Sequence, residues 1–253
     1  MELNGSMAII SGGLGDIGRA VAVELASRGA DIGTCDIHDE VKSIALAEQI
    51  EKLGRKFCYH RVDISRFSEV EQWILDVHGK LGTPNLIIAN AGIAKFSTMR
   101  QVTVDEWDQH IQVNLNGAFY MARTAANLLV AGKKTGRIVL VGSPAADFAQ
   151  TKIAAYCASK AGISSLCRCL AAEYAADGIL INEIRPGMVD AGVSAAEFIR
   201  NPGLREQVIE QMPVKYLIEP EDVACQIAHL CHPTNRHMTG SILTMDGGLS
   251  LHP

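Results

Sequence analysis

Residues 7–18 read MAIISGGLGDIG, and the order of apolar run, glycines and polar helix start decides the fold. Met7–Ser11 is a short apolar stretch ending in glycines, the pattern of a strand covered on both faces. Asp16–Arg28 then carries apolar residues at helical spacing and stops at Gly29. The turn between them is Ser11-Gly12-Gly13-Leu14-Gly15-Asp16-Ile17-Gly18. Its glycines let backbone approach an anion, and the helix N-terminus behind it offers N–H donors and positive potential. As a bare string the turn could equally be only a tight reversal. Set between a strand and a helix, it points to a dinucleotide pyrophosphate.

Working outward, the same alternation recurs. Ala30–Asp36 reads as a second strand, Glu40–Leu53 as a helix ended by Gly54, and Lys56–Val62 as a third strand. Ser68 and Glu71 form a capping-box pattern ahead of the next helix, and Leu86–Ala89 is a fourth strand. Thr103 and Glu106 make a second such pattern, opening a long helix toward Val130. Strands at Arg137–Val141 and Ile179–Ile184 flank a further helix, and Ser241–Met245 is the last strand. Pro220 suits the first turn of a helix reaching about Leu230. Alternating strands and helices predict a parallel sheet covered on both faces, a doubly wound Rossmann fold. With no linker, repeat or low-complexity segment, residues 1–253 are expected to form a single domain. Only residues 190–216, interrupted by Pro202, Gly203 and Pro213, break the rhythm.

Composition narrows the partners. A net charge of −5 over 253 residues, without a Lys/Arg cluster, argues against nucleic acid or an anionic membrane. No apolar run approaches the eighteen or so residues of a membrane helix, and Met1–Ile10 lacks the pattern of a secretory signal. Seven cysteines without framework spacing suggest reduced thiols, so a cytoplasmic protein is expected.

The chemistry is concentrated in Ser143–Gly162. Tyr156 and Lys160 lie four apart in a helix-forming run, one turn apart on one face. Ser143 stands beyond the C-terminal end of the strand before that helix, so the three can converge. The arrangement suits proton exchange with a hydroxyl or carbonyl oxygen. A free phenol has a pKa of about 10, and a neighbouring ammonium favours phenolate and lowers it. In isolation, the pair could equally be an exposed tyrosine beside a solvated lysine.

Taken with the glycine turn, this pattern resembles the short-chain dehydrogenase/reductase family, in its branch of about 250 residues. The resemblance runs from Ser11 to Gly248 with motifs in family order. It implies catalytic roles for Asn114, Ser143, Tyr156 and Lys160. Ser143 would hold the substrate oxygen and Tyr156 would exchange its proton. Lys160 would lower the Tyr156 pKa and bind the nicotinamide ribose, and Asn114 would hold a water linking Lys160 to solvent. Ser11, Gly12, Gly15, Asp16, Ile17 and Gly18 correspond to the family's TGxxxGxG turn, with Ser11 for Thr and Asp16 where a glycine usually stands. A carboxylate there must turn outward or bond free amides at the helix start.

Asp36 ends the second strand, where an acid accepts hydrogen bonds from ribose hydroxyls and repels a 2′-phosphate. With Ile37 and His38 following rather than a cation, NAD is preferred over NADP. By resemblance Asp63 contacts adenine, and Asn90 and Gly92 line the adenosine side, with Ala89 in place of an asparagine. Pro186, Gly187 and Val189 lie by the nicotinamide, with Ala191 replacing the family's Thr. Lys95, Ala145, Gln150 and Met188 are candidates for the substrate rim, and 190–216 corresponds to the family's substrate loop. Lys95 and Gln150 hint at a sugar, polyol or hydroxy acid, although each could be a solvated loop residue. The resemblance also suggests a homotetramer or homodimer.

Cys225, His229, Cys231, His232 and His237 are dense but lack paired metal-knuckle spacing, so no metal is expected. Cys167 and Cys169 suit packed thiols better than a redox pair. The leading expectation is an oxidoreductase moving a hydride between NAD and a secondary alcohol or ketone. An NADPH-dependent ketone or 3-oxoacyl reductase and a non-catalytic NAD-binding module are the alternatives.

Overall fold

The computed structural model describes residues 2–148 and 150–251. Seven parallel strands form one sheet in the order β3-β2-β1-β4-β5-β6-β7. They are β1 (Met7–Ser11), β2 (Asp31–Asp36), β3 (Phe57–Arg61), β4 (Leu86–Ala89), β5 (Gly136–Val141), β6 (Ile179–Pro186) and β7 (Ile242–Met245). The order reverses between β1 and β4, and ligands of such sheets bind at the crevice outside the strand C-termini at that switch. This is the Rossmann fold.

Each strand divides its side chains between two layers, because successive residues point to opposite faces. Ala8 and Ile10 of β1, with Ile88 of β4, join a cluster under α1 (Asp16–Ser27), α2 (Ile44–Lys52) and α9 (Pro220–Cys231). Met7 and Ile9 of β1, with Ile87 of β4, join the other cluster. That one packs under α3 (Phe67–Leu81), α5 (Gly117–Ala131) and α6 (Ala154–Tyr174). The central strands are buried on both sides, which is why β1, β4 and β5 read as nearly continuous apolar runs.

Several local expectations change. Glu40–Ser43 is a 3-10 turn, and α2 begins only at Ile44. The capping box at Ser68 and Glu71 does not form: α3 starts at Phe67 with Arg66 as an N-cap lacking a side-chain bond. There the Glu69 carboxylate accepts from the Asp63 amide at 2.8 Å and fixes the turn after β3. The box at Thr103 and Glu106 does form, with bonds of 3.1 and 3.3 Å, and starts α4 (Val104–His110). The long helix it opens is not uniform, since a π-helical turn at Ile111–Asn116 separates α4 from α5. Strand β6 runs two residues past Ile184 because Arg185 and Pro186 stay in register with Thr244 and Met245 of β7. Residues 190–216 hold two helices, α7 (Gly192–Arg200) and α8 (Leu204–Gln211), with Gly203 at a φ of +88° between them.

Candidate active site

The C-terminal ends of the strands open onto a cavity of about 700 Å³. The glycine turn forms one wall. Gly12 has a φ of +66°, a region that favours glycine, and a Cβ on Gly18 would collide with the Gly12 carbonyl. Helix α1 therefore starts tight against the turn. Its N-cap is Gly15, which makes no side-chain capping bond to the first amides. Glycine-lined backbone and a helix start without such a side-chain cap fit a pyrophosphate.

The turn is stitched to the loop after β4. Ser11 Oγ accepts from the amides of Asn90 and Ala91, each at 3.1 Å, and Asn90 Nδ2 donates to the carbonyls of Ser11 and Gly12. Asn90 thus holds the two loops together directly, and buried Ala89 packs in the core. Asp16 neither turns away nor caps its own helix. Its Oδ2 accepts from the Gly192 amide at 2.9 Å, tying the glycine turn to the start of α7. Asp36 accepts from the amides of Leu14 (3.2 Å) and Ile37 (2.8 Å), so its carboxylate is fixed at the cavity wall. Asp63 accepts from the Ser65 amide and hydroxyl and pairs with Arg66 at 3.4 Å.

The cavity wall includes Gly12, Gly15, Asp16, Ile17, Gly18, Asp36, Asp63, Asn90, Gly92, Tyr156, Lys160, Pro186, Gly187 and Val189. Ser11 lies behind it, buried, as the stitch just described. Val189 pairs with Ile218 in an isolated bridge that positions the segment after β6.

Three elements carry the candidate catalytic groups. Ser143 follows β5 in extended backbone and caps the 3-10 turn Pro144–Ala146, its Oγ accepting from the Ala145 amide at 3.2 Å. Tyr156 and Lys160 sit one turn apart on α6, with Lys160 Nζ 5.6 Å from the Tyr156 ring centroid. Lys160 Nζ donates to the Val141 carbonyl at 2.8 Å, and the side chain is buried. Desolvation pulls its pKa from 10.5 down to about 8, against an opposing pull from the Glu183 carboxylate.

Asn114 comes from the π-helical turn, a distortion that re-aims side chains at functional sites. Its Oδ1 accepts from the Ile93 amide at 2.8 Å, and its Nδ2 donates to the Ile93 carbonyl and to Ser159 Oγ. Gly92 lets it approach Lys160: a Cβ there would stand 3.3 Å from Asn114 Oδ1 and 3.6 Å from Lys160 Nζ. Asn116, two residues on, bonds Gln112 at the surface instead.

The expected lowering of the Tyr156 pKa is not found. Burial pushes the phenol up, and the Ser143 hydroxyl pulls it part of the way back. The ammonium lies over the ring, and the neighbouring Cys157 adds to the rise.

The four candidate rim residues do not gather in the cavity. Lys95 Nζ bonds Gln109, and Lys95 faces a separate small cavity with Lys152 and His110. Ala145 is buried, Gln150 is exposed, and Met188 packs with Val208, Met212 and Leu217. Gln109, Gln112, Val193 and Ser194 line the cavity instead. The two glutamines were visible as polar residues five and two positions before Asn114. Val193 and Ser194 carried no signal. Among the described residues no group of three or more His, Cys, Asp or Glu is placed to hold a metal ion. Cys167 is buried while Cys169 is exposed, so the two diverge on α6.

A glycine turn at the head of a Rossmann sheet, facing a tyrosine–lysine helix, is the architecture of a dinucleotide-dependent oxidoreductase. The family model described as Enoyl-(Acyl carrier protein) reductase matches residues 13–250. A short-chain dehydrogenase/reductase of Armillaria gallica is 34% identical over 250 residues, spanning 97% of this chain and 96% of its own. A 3-oxoacyl-(acyl-carrier-protein) reductase of Staphylococcus epidermidis is 27% identical over 242 residues, 96% of this chain and 98% of its own. Among solved structures, a gluconate 5-dehydrogenase from Burkholderia cenocepacia, in complex with NADP and tartrate, superposes with a TM-score of 0.93. It shares 25% identity and covers 100% of this chain and 98% of its own. The chain belongs to the short-chain dehydrogenase/reductase family of oxidoreductases.

Proposed function

We propose that the protein interconverts a secondary alcohol and its ketone, with NAD as the preferred cofactor. The observation that carries this reading is that Tyr156 and Lys160 line one cavity with the glycine turn and Asp36, while Asn114 stands beside Gly92 near the lysine. A bound nicotinamide dinucleotide supplies the hydride acceptor or donor. Tyr156 takes the proton from, or returns it to, the substrate oxygen at its own hydroxyl. Ser143 orients that oxygen. Lys160, positive beside the tyrosine, favours the phenolate once substrate and cofactor exclude water. Asn114 holds the Ile93 backbone and faces the lysine, keeping the proton path open toward the loop after β4.

Asp36 supports NAD, because a fixed carboxylate at the end of β2 disfavours a 2′-phosphate. The second reading, an NADPH-dependent 3-oxoacyl or ketone reductase, draws on the relative from Staphylococcus epidermidis and on NADP in the Burkholderia cenocepacia complex. The deciding assay follows NADH and NADPH formation with secondary alcohols, polyols, sugars and hydroxy acids, and their consumption with 3-oxoacyl thioesters. Turnover with NAD that shifts toward NADP in Asp36→Ala supports the first reading. Turnover with NADP alone in the unaltered protein overturns it.

A further inference from the structure

The layer beneath α6 is apolar along β6 until Glu183. Ile179 and Ile181 pack into the core there, and the next two residues on that face are Glu183 and Arg185, 0% and 3% exposed. Their charges are tied together. Arg185 Nε donates to Glu183 Oε1 at 2.8 Å. Ser164 of α6 donates to the same Oε1 at 3.0 Å and accepts from Arg185 Nη2 at 2.6 Å. Arg185 Nη1 pairs with Asp147, which follows the turn after Ser143 and whose carboxylate is open to solvent. Glu183 Oε2 is buried and meets no hydrogen-bond partner among the described residues.

This network touches the candidate catalytic groups from below. A Cβ on Gly142, the residue before Ser143, would collide with Glu183 Oε1, so the backbone that presents the serine rests on the carboxylate. Ser164 lies one turn beyond Lys160, and its single hydroxyl hydrogen is shared between Glu183 Oε1 and the Lys160 carbonyl, the latter at 3.2 Å. A buried ion pair seldom stabilises a fold more than well-packed apolar residues of similar volume. Its field, however, acts at long range in a dry interior. Glu183 Oε1 sits against Gly142, and Lys160 Nζ is bonded to the carbonyl of the preceding Val141, so the carboxylate stands near the ammonium.

We propose that Glu183 is a positioning residue for the reaction: its carboxylate, held by Arg185 and Ser164, keeps the Lys160 ammonium charged and seats the backbone of Ser143. The proposal rests on the role given to Lys160 above. The groups that face Lys160 are Tyr156 on its own helix, Asn114 from the π-helical turn, and the Val141 carbonyl of β5. Glu183 and Arg185 of β6 reach its turn of helix through Ser164, with Asp147 bonded to Arg185 beyond them. Glu106 and His110 of α4 lie at the first turn of α6, beside Ala154 and Ala155. Of these, Glu183 is the buried anion whose charge raises the lysine pKa.

The test is a pH titration of the Lys160 side chain, followed by NMR in protein labelled with 13C at lysine Cε and assigned with Lys160→Met. Glu183→Gln is expected to move the midpoint down by about one unit or more, a tenfold change in the proton equilibrium. Should that variant not fold, Glu183→Leu combined with Arg185→Met replaces the pair by apolar residues of similar volume. It is expected to fold and to shift the midpoint down by less, because the Arg185 charge, which opposes that of Glu183, is removed with it. A midpoint unmoved in either folded variant, with only the melting temperature changed, makes the network structural and overturns the proposal. Because the readout needs no substrate, it stays separate from the proposed reaction, whose own failure would appear as turnover surviving in Tyr156→Phe.

Discussion

The two layers packed on the sheet are built from different materials. The one under α1, α2 and α9 is mainly apolar, with Ala8, Ile10, Ile32, Ile88 and Ile184 all fully buried; its buried polar side chains there, Thr34 and Asn182, are uncharged. The one under α3, α5 and α6 is apolar only away from the strand C-termini, and near them it buries Asn114, Ser159, Lys160, Ser164, Glu183 and Arg185. Burying such groups costs free energy unless each is bonded. The first layer therefore stabilises the fold, and the second gives up some stability to hold charge in place.

The largest test of this contrast is Tyr156→Phe. Loss of a positioned proton donor is expected to cut turnover by about 10²–10⁴-fold while NAD binding stays intact, read by steady-state rates and by fluorescence titration with NADH. Loss of both together would place Tyr156 with the structural residues. Ile88→Ala, in the apolar layer, is the converse. It should cost about 2–5 kcal/mol of stability in denaturant unfolding, with the rate per folded molecule unchanged.

A pH series sharpens the contrast. Lys160 sheds its proton at about 8 in the folded protein, whereas its ordinary value is 10.5. Between those values the unfolded chain binds more protons, so this group makes stability rise with pH across that window, by at most on the order of 3 kcal/mol. Its burial is most costly below pH 8. Lys160→Met is expected to abolish that rise, measured as urea midpoints from pH 8 to 10.5 against the unaltered protein. A wild-type slope no steeper than the variant's would mean the lysine is not held in a desolvated site.

The smallest effect belongs to the link between the glycine turn and α7. Asp16→Ala removes one hydrogen bond to the Gly192 amide and should cost about 1 kcal/mol or less. A larger drop in the melting temperature would show that residues 190–216 contribute to the fold as the apolar layer does.

Much of this was legible beforehand for a physical reason. The strand–turn–helix at residues 7–18 needs glycines where backbone must touch backbone, and the collision a Gly18 Cβ would cause shows why no other residue serves. The Thr103–Glu106 cap is local and formed as expected, whereas the Ser68–Glu71 pattern failed because α3 already begins at Phe67 and Ser68 lies inside it. The charge at Glu183, inside a run read as a strand, was visible, as was Arg185 two residues on, but Ser164 and Asp147 come from two other segments. The placement of the rim candidates was not legible for the same reason: which side chains of residues 95–150 and 188–194 face the cavity depends on how loops from distant strands settle against one another.

By itself the sequence determined the alternation of strands and helices, the glycine turn, and the pairing of Tyr156 with Lys160 on one helix face. Those features depend on backbone sterics and on periodicities of 3.6 and 2, which act within a few residues. Only the tertiary structure decided that Asp16 would bond Gly192, that a π-helical turn would aim Asn114 at Ile93, and that Lys160 would be desolvated above a buried carboxylate. These depend on packing between segments far apart in the chain, where burial sets the strength of every charge.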